Sequence, residues 1–256
     1  MLLAVDVGNT ETVLGVFRDA DLAWHWRLST AQKRTADELA LLFGGLLEHQ
    51  GLSFDKNVSG VVISSVVPQA TQSLREMVQR YFHFDPVIVE PGVKTGVPIL
   101  TDNPREVGAD RIVNTLAAHT KFGGPCIVVD FGTATTFDAV SDKGEYLGGA
   151  IAPGLQISSN ALYEQTARLP RVELAPPRSV VGKNTVESLQ SGILYGYAEM
   201  VDGMVERIAK ELGDPTVVAT GGLAPVVIPE CRTIDHHEPW LTLEGLRLVF
   251  EKNAER

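Results

Sequence analysis

The amino-acid sequence predicts an α/β protein assembled from two related halves. A Val-Asp-x-Gly motif, followed within two residues by threonine, begins at Val5 and again at Val129. Each copy ends an apolar run and precedes a pattern typical of a β-hairpin, after which helical and strand periodicities alternate. One Asp-Gly turn is common, but two copies in the same setting indicate an internal repeat.

Composition and charge narrow the class of protein. A chain of 256 residues with 44% hydrophobic and 21% charged residues is typical of a globular protein. Its formal net charge of -10 argues against a nucleic-acid partner, because such surfaces need clustered Lys and Arg. The sequence shows neither the pattern of a signal peptide nor an apolar run long enough for a membrane span. We therefore expect a cytoplasmic protein without membrane contact.

The first half begins with three predicted strands joined by polar turns. Apolar runs and alternating patterns place them at residues 2–5, 12–17 and 22–28. A helix is expected at residues 35–48, where Thr35 and Glu38 have the spacing of a capping box. The later elements predicted for this half are a strand at 58–66, a helix at 68–81, a strand at 86–90 and a helix from Asn103 to about residue 121.

The second half repeats this plan. Its first three strands are predicted at residues 127–129, 136–140 and 146–151. A long helix is expected to begin near Thr185, followed by a strand at 216–219 and a closing helix at 241–252. The run Gly123-Gly124-Pro125 is the natural boundary, so the sequence predicts domains at residues 1–122 and 123–256.

Three antiparallel strands followed by alternating helices and strands, present twice, describe a duplicated ribonuclease-H-like fold. This is the architecture of actin, Hsp70 and the sugar kinases. We expect an ATP cleft between the two halves, with the two Asp-Gly turns facing it.

The first Asp-Gly turn has the composition of a phosphate clamp. Asp6 supplies a hard oxygen ligand suited to Mg²⁺ or its bound waters, and Gly8 permits close approach of the backbone. Backbone N–H groups around Asn9 and Thr10 can then bind phosphate oxygens. The sequence has no Walker A motif. An ordinary Asp-Gly-Asn turn is the alternative interpretation.

The second turn offers Asp130 and the hydroxyl groups that follow it, at Thr133, Thr135 and Thr136. These groups can meet nucleotide phosphates or hold a cation, although threonine is also common in strands for reasons of packing alone. Further along, the pair Gly221-Gly222 follows an apolar strand and would let an adenosine pass close to the backbone. A turn at the start of a helix explains the pair nearly as well.

A candidate site for the phosphoryl acceptor lies on the helix predicted to begin at Asn103. Asp110, expected in its second turn, starts a face that is otherwise apolar, where a charge is costly unless it is paired or used. Gly108 inside a helix costs about 1 kcal/mol relative to Ala, which is reasonable where a ligand must approach closely. Asp110 can orient or deprotonate a hydroxyl, and Arg111 can bind a carboxylate or phosphate. A surface Asp-Arg pair is the alternative.

Five segments together resemble the type III pantothenate kinases. They are DVGNT at 6–10, GADR at 108–111, DFGTATT at 130–136, GGAIAPG at 148–154 and TGG at 220–222, in family order and at family spacing. The resemblance implies ATP-dependent phosphorylation of pantothenate at its primary hydroxyl, giving 4'-phosphopantothenate in the first step of coenzyme A synthesis. It also implies Mg²⁺, a monovalent cation such as K⁺ or NH₄⁺, and a homodimer.

The resemblance also implies roles for individual residues. Contacts with ATP are implied for Asp6, Val7, Gly8, Asn9, Thr10, Glu11, Thr12, Val13 and Thr133, beside the glycines Gly221 and Gly222. Contacts with pantothenate are implied for Gly108, Ala109, Asp110, Arg111 and Thr185. Asp110 would accept the proton, Asp130 would hold the monovalent cation, and Thr185 would act across the dimer interface. Since Thr185 also begins an ordinary helix, a purely structural role for it stays open.

Two positions depart from the family pattern. Residues 99–102 lack the tyrosine that many relatives carry near the substrate, and Glu11 stands where relatives often have asparagine. Other functions also stay open, because a fold can be retained without its chemistry. They are a non-catalytic regulatory or accessory protein, which need not keep Asp6, Asp110 and Asp130, and a kinase of another small hydroxy acid or sugar.

Overall fold

A computed structural model describes residues 1–254, and its strands and helices follow the order of the two predicted halves. The strands are β1 (Leu2–Val7), β2 (Glu11–Arg18), β3 (Asp21–Ser29), β4 (Gly60–Ser65), β5 (Val87–Ile88), β6 (Cys126–Phe131), β7 (Ala134–Val140), β8 (Tyr146–Pro153), β9 (Thr216–Thr220) and β10 (His236–His237). The helices are α1 (Ala36–Glu48), α2 (Phe54–Asn57), α3 (Pro68–Tyr81), α4 (Ala109–Phe122), α5 (Leu155–Glu164), α6 (Thr185–Leu212), α7 (Ala224–Val227) and α8 (Leu241–Ala254).

These elements pack into two units, each around its own sheet. Unit 1 consists of Met1–Val97, Asn103–Ala117 and the described residues from Thr242 on. Unit 2 consists of Pro98–Asp102 and Ala118–Leu241. The predicted domains, residues 1–122 and 123–256, divide the sequence into its duplicated halves. The two units are defined by packing instead, so the predicted domain boundaries stay a prediction.

The two sheets have the same topology. In unit 1 the strand order is β3-β2-β1-β4-β5, and in unit 2 the corresponding order is β8-β7-β6-β9-β10. In each sheet the first three strands are antiparallel and the later pairs are parallel. The predicted fold class, a duplicated ribonuclease-H-like α/β protein, is confirmed.

The sheet of unit 1 is covered by helices on both faces. Side chains alternate along a strand, so Leu3, Val5 and Val7 of β1 point to one face, where they join a core that includes residues of α1 and α3. On the other face, β-carbons added at Gly15 and Gly60 would collide with Leu243 and Phe250 of α8. These two glycines therefore allow α8 to lie directly on the strands.

Helix α8 also lies against α4. A β-carbon at Gly245 would collide with the carbonyl oxygen of Val113, so the backbones of the two helices meet at this point. Both residues belong to unit 1. The start of α4 is thus held by a helix that comes much later in the sequence.

The sheet of unit 2 packs against α6 through one of its faces. Ile127, Val129 and Phe137 form a core with Tyr197 and Val201 of α6. The opposite face of β6 and β7 carries polar residues at one end, where Asp130 pairs in register with Thr136. No helix among residues 1–254 combines the length and apolar character needed to cross a membrane.

One sequence-based expectation about helices was wrong, and one helix was missed. The helix predicted to begin at Asn103 is a 3₁₀ turn, Pro104–Glu106, and α4 begins only at Ala109. The turn stops because Val107 adopts an extended conformation and the Asn103 side chain donates to the Glu106 side chain. Helix α5 was not predicted, because its exposed surface is unusually apolar and gives no clear helical periodicity.

Candidate active site

The first Asp-Gly turn is a tight connection between β1 and β2. The N–H of Gly8 donates to the carbonyl oxygen of Glu11 at 2.9 Å, and a β-carbon at Gly8 would lie 3.1 Å from that oxygen. Asn9, Thr10 and Glu11 are exposed, so the tip of the turn is open to a ligand. Val7 and Thr12 are buried and Val13 is partly buried, so these residues can offer a ligand mainly backbone atoms.

Thr30, which follows β3, fixes the conformation of this turn. Its hydroxyl donates to the carbonyl oxygen of Gly8 at 2.9 Å, and its N–H donates to the carbonyl oxygen of Thr10 at 2.9 Å. The hydroxyl groups of Thr12 and Thr30 also lie 2.9 Å apart. No local motif marks Thr30, because its role depends on the pairing of β2 with β3.

Asp6 lies at the end of β1, on the sheet face that also bears α8. Burial raises the pKa of its carboxyl group to about 7; a hydrogen bond from Ser64 lowers this pKa and the charge of Asp110 raises it. This electrostatic effect means that Asp6 and Asp110, both in unit 1, lie close enough to interact. Ser64 stands in an apolar strand without a motif, so its contact with Asp6 could not be predicted from the sequence.

Asp110 lies in the first turn of α4 and not in the second turn of a longer helix. Its carboxylate accepts a hydrogen bond from the N–H of Arg111 at 2.9 Å. Burial raises the pKa of Asp110, and the N–H and charge of Arg111 oppose this change. Gly108 is not inside a helix as expected; it precedes α4, and a β-carbon there would collide with the Asp110 carboxylate. Ala109 and Arg111 are partly buried in the same turn.

The second Asp-Gly turn lies at the end of β6, in unit 2. Gly221 has φ +94, and a β-carbon at this position would lie 2.5 Å from Asp130 Oδ1, so only a glycine allows this contact. Gly222 and Thr133 are exposed beside these residues in sequence. The structure thus brings Asp130 and Gly221 into contact. Their separate sequence motifs did not predict this contact.

The hydroxyl groups after Asp130 point to different environments. Thr135 is buried, and its hydroxyl bonds to the phenol of Tyr197, so it serves the core of unit 2. Thr136 donates to the buried carboxylate of Asp138 at 3.2 Å. Thr185 is the exposed first residue of α6, directly after the N-cap Asn184.

The donor chemistry of unit 1 fits a Mg²⁺–nucleotide complex. Among residues 1–254, no group of three or more His, Cys, Asp or Glu side chains could enclose a metal ion. Mg²⁺ is commonly bound by one or two carboxylates together with phosphates and water, and the Asp6 carboxylate beside the open turn meets that requirement. The Gly8 turn supplies the narrow backbone cradle that phosphate oxygens need.

Two sheets of one topology, each with an Asp-Gly turn after its first strand, define a protein of the class that contains the sugar kinases, actin and Hsp70. The family model described as type III pantothenate kinase matches residues 2–207 of the chain. The chain belongs to the type III pantothenate kinase family.

A close relative agrees with this assignment, and two solved structures agree with the fold alone. The type III pantothenate kinase of Streptomyces coelicolor is 59% identical over 264 residues, covering 100% of this chain and 100% of that protein. Component A of (R)-2-hydroxyglutaryl-CoA dehydratase from Acidaminococcus fermentans shares the fold with a TM-score of 0.62 at 14% identity, covering 99% of both chains. The polyphosphate/ATP-glucomannokinase of Arthrobacter sp. strain KM shares it with a TM-score of 0.52 at 11% identity, covering 100% of this chain and 99% of that chain.

Proposed function

We propose that the chain transfers the γ-phosphoryl group of ATP to the primary hydroxyl of pantothenate, giving 4'-phosphopantothenate in the first step of coenzyme A synthesis. Full-length similarity to type III pantothenate kinases carries this proposal. The Asp6 and Asp110 carboxylates support it, because they lie in one unit within electrostatic reach of each other. The cytoplasmic location expected from the sequence remains a prediction.

In this function, the turn between β1 and β2 would bind the phosphates of ATP. The N–H groups of the open tip would bind phosphate oxygens, while Thr30 keeps the tip in place. Thr133, Gly221 and Gly222 are proposed as further nucleotide contacts in unit 2. Mg²⁺, bound by Asp6 directly or through water, would supply positive charge against the triphosphate.

The segment from Gly108 to Arg111 would bind pantothenate. Asp110 would align the acceptor hydroxyl and accept its proton, and its raised pKa makes the carboxylate a stronger base than an ordinary aspartate. Arg111 offers a guanidinium for the carboxylate of pantothenate. Since transition states of phosphoryl transfer are loose, alignment by Asp110 contributes more than early proton removal.

A monovalent cation, K⁺ or NH₄⁺, is proposed at Asp130. This carboxylate lies in register with Thr136 on one side and with Thr220 on the other, so the neighbouring side chains are hydroxyls on the same sheet face. Oxygen donors of this kind suit a hard cation.

A homodimer is proposed through an exposed apolar surface of unit 2. Strand β8 lies at the sheet edge, and its Leu147 and Ile151 side chains are 38% and 66% exposed. Other exposed apolar residues of this unit are Leu100, Ile157, Leu162, Tyr163, Val180, Val181 and Val186. Exposed apolar patches often mark interaction sites, so these side chains support the proposal. Thr185 adjoins Val186, which supports its proposed contact with pantothenate bound to the partner.

The function is tested by measuring ADP release from purified protein with pantothenate, pantetheine and common sugars, with and without K⁺. We expect turnover with pantothenate in the presence of Mg²⁺ and stimulation by K⁺. Faster turnover with a sugar than with pantothenate would show that pantothenate is not the preferred substrate. No turnover with any acceptor would favour the non-catalytic alternative.

A further inference from the structure

Ser64 is a fully buried polar residue near the end of an apolar strand. Strand β4 has the sequence GVVISS, and the Ser64 side chain is 0% exposed. A buried hydroxyl costs free energy unless it forms a hydrogen bond. The Ser64 hydroxyl donates to Asp6 Oδ1. Its partner is therefore the carboxylate that binds the Mg²⁺–nucleotide complex in the proposed function.

The register of the sheet makes this hydrogen bond a direct product of the fold. Strands β1 and β4 are parallel neighbours, and Asp6 is paired with Ser64 in their register. Side chains paired in this manner point to the same face of the sheet. The two side chains therefore meet wherever the ladder forms, without help from a loop.

The following residue, Ser65, has a different role. Its hydroxyl donates to the carbonyl oxygen of Val67 at 3.1 Å and accepts from the N–H of Val67, also at 3.1 Å. Ser65 thus shapes the turn into α3 and cannot replace the bond that Ser64 makes with Asp6.

We propose that Ser64 is a positioning residue for nucleotide binding, because its hydroxyl holds one oxygen of the Asp6 carboxylate and so fixes the orientation of the other. This inference rests on the proposed function, since it assumes that Asp6 meets a Mg²⁺–nucleotide complex. Without the hydroxyl, the carboxylate can rotate, and ordering it again upon binding costs free energy.

Ser64→Ala tests this role by calorimetric titration with ADP, with and without Mg²⁺. Hydrogen bonds to charged groups are the stronger ones, so we expect binding of Mg²⁺–ADP to weaken by about tenfold or more. Binding of ADP without Mg²⁺ should change much less. In steady-state assays KM for Mg²⁺–ATP should rise, while KM for pantothenate stays near the wild-type value. Equal Mg²⁺–ADP affinity of variant and wild type would overturn the proposal.

A pair of variants with nearly the same shape separates the hydroxyl from packing. Ser64→Thr keeps the hydroxyl and Ser64→Val lacks it, and both add similar volume to the buried site. We expect Ser64→Thr to bind Mg²⁺–ADP markedly better than Ser64→Val. If the two variants bind equally, Ser64 acts by packing alone and the proposal fails. This comparison also serves if Ser64→Ala does not fold.

A double-mutant cycle tests whether Ser64 acts through Asp6. In an Asp6→Asn background, Ser64→Ala should weaken Mg²⁺–ADP binding little further, and fully additive losses would contradict the proposal. Ser59→Ala is the matched control, because the Ser59 hydroxyl donates to the carbonyl oxygen of Met1 at the opposite end of the same strand pair. It should bind as wild type does.

The same titration separates this inference from the proposed function. Wild-type protein that fails to bind Mg²⁺–ADP overturns both. Wild-type protein that binds Mg²⁺–ADP, together with variants indistinguishable from it, overturns only the role of Ser64.

Discussion

Asp6 and Asp110 have ionisation properties that distinguish them from the surface carboxylates of the chain. Burial raises the pKa of both groups, and the charge of Asp110 adds to the effect on Asp6. Raised pKa values on neighbouring acids are typical of functional sites, because evolution for stability alone would remove such charges.

Asp110→Asn is expected to lower kcat by a factor of about 10² or more, because the amide cannot accept the proton of the acceptor hydroxyl. Binding of ATP should change little, since the nucleotide is assigned to other residues. Steady-state kinetics together with nucleotide titration measure both effects. Turnover near the wild-type level would remove Asp110 from its assigned role.

Asp6→Asn is expected to stabilise the protein at alkaline pH in the absence of nucleotide and metal. The folded-state pKa of Asp6 is raised from 3.8 to about 7, so its contribution to stability is fully present below pH 3.8 and is lost as pH rises to about 7. Asparagine carries no such charge, and the gain at pH 8 should be on the order of 2 kcal/mol, allowing for partial exposure.

Urea denaturation at pH 5 and pH 8 measures this difference. The gain should be larger at pH 8 than at pH 5, and turnover should be lost at both. A stability change that is the same at the two pH values would show that the Asp6 charge is not its cause.

Local sequence predicted some of these residues and not others. Asp6, Gly8 and Asp110 could be proposed from the sequence because they stand in short motifs with a direct chemical meaning. Ser64 and Thr30 were missed because their partners lie 58 and 22 residues away in sequence. Such contacts depend on strand register, which a strand pattern alone does not specify.

At the scale of elements, the two capping signals had different outcomes. The capping box of Thr35 and Glu38 is present at the start of α1, with both reciprocal hydrogen bonds formed. At Asn103 the side chain bonds to the side chain of Glu106 and leaves the backbone N–H groups uncapped, so only a 3₁₀ turn forms. The later start of α4 places Asp110 near the positive end of the helix dipole, which favours its ionised form.

The contact between α8 and α4 leads to a prediction about stability. Gly245→Ala would place a β-carbon against the carbonyl oxygen of Val113 and push the helices apart. Overpacking of this kind costs about 1–3 kcal/mol, and displacement of α4 should also lower kcat/KM for pantothenate. Denaturant unfolding and steady-state kinetics measure the two effects.

Gly203→Ala is the control for this substitution. Gly203 lies within α6, and no atom comes within 4 Å of a β-carbon added there. Alanine at this position should stabilise the protein by about 0.5–1 kcal/mol through helix propensity. If Gly245→Ala were equally stabilising, the two helices would not be in close backbone contact.

At the scale of the whole molecule, the two units share one sheet topology but carry different proposed sites. Unit 1 carries the Asp6 turn and the segment proposed for pantothenate, whereas unit 2 carries Asp130 and the exposed apolar surface. The sequence predicted the duplication because the repeat spans motif, hairpin and helices alike. It did not predict that α8 packs in unit 1, because amphipathic periodicity shows that a helix has an apolar face without showing which sheet receives it.

Ile151→Glu is expected to dissociate the proposed homodimer. Ile151 is 66% exposed on the edge strand β8, and a buried glutamate in an interface costs free energy through desolvation. Turnover should fall with dissociation if Thr185 serves the partner's substrate. Sedimentation velocity and kinetics on the same samples provide the measurement.

Leu41→Glu is the matched control for the dimer. Leu41 is 79% exposed on α1, in unit 1, and substitution there should leave assembly and turnover unchanged. A wild-type protein that sediments as a monomer, or an Ile151→Glu variant that stays dimeric, would remove the proposed interface.

The position of α8 has a consequence for how the protein is made. A ribosome that has translated the chain as far as Ala117 has produced the strands of the first sheet but not the helix whose Leu243 and Phe250 lie on Gly15 and Gly60. The part of the sheet face that α8 covers in the folded protein therefore stays exposed while residues 118–241 of unit 2 are synthesised. Folding of the first-synthesised unit is completed only after α8 has emerged from the exit tunnel, and until then its exposed apolar surface is open to aggregation.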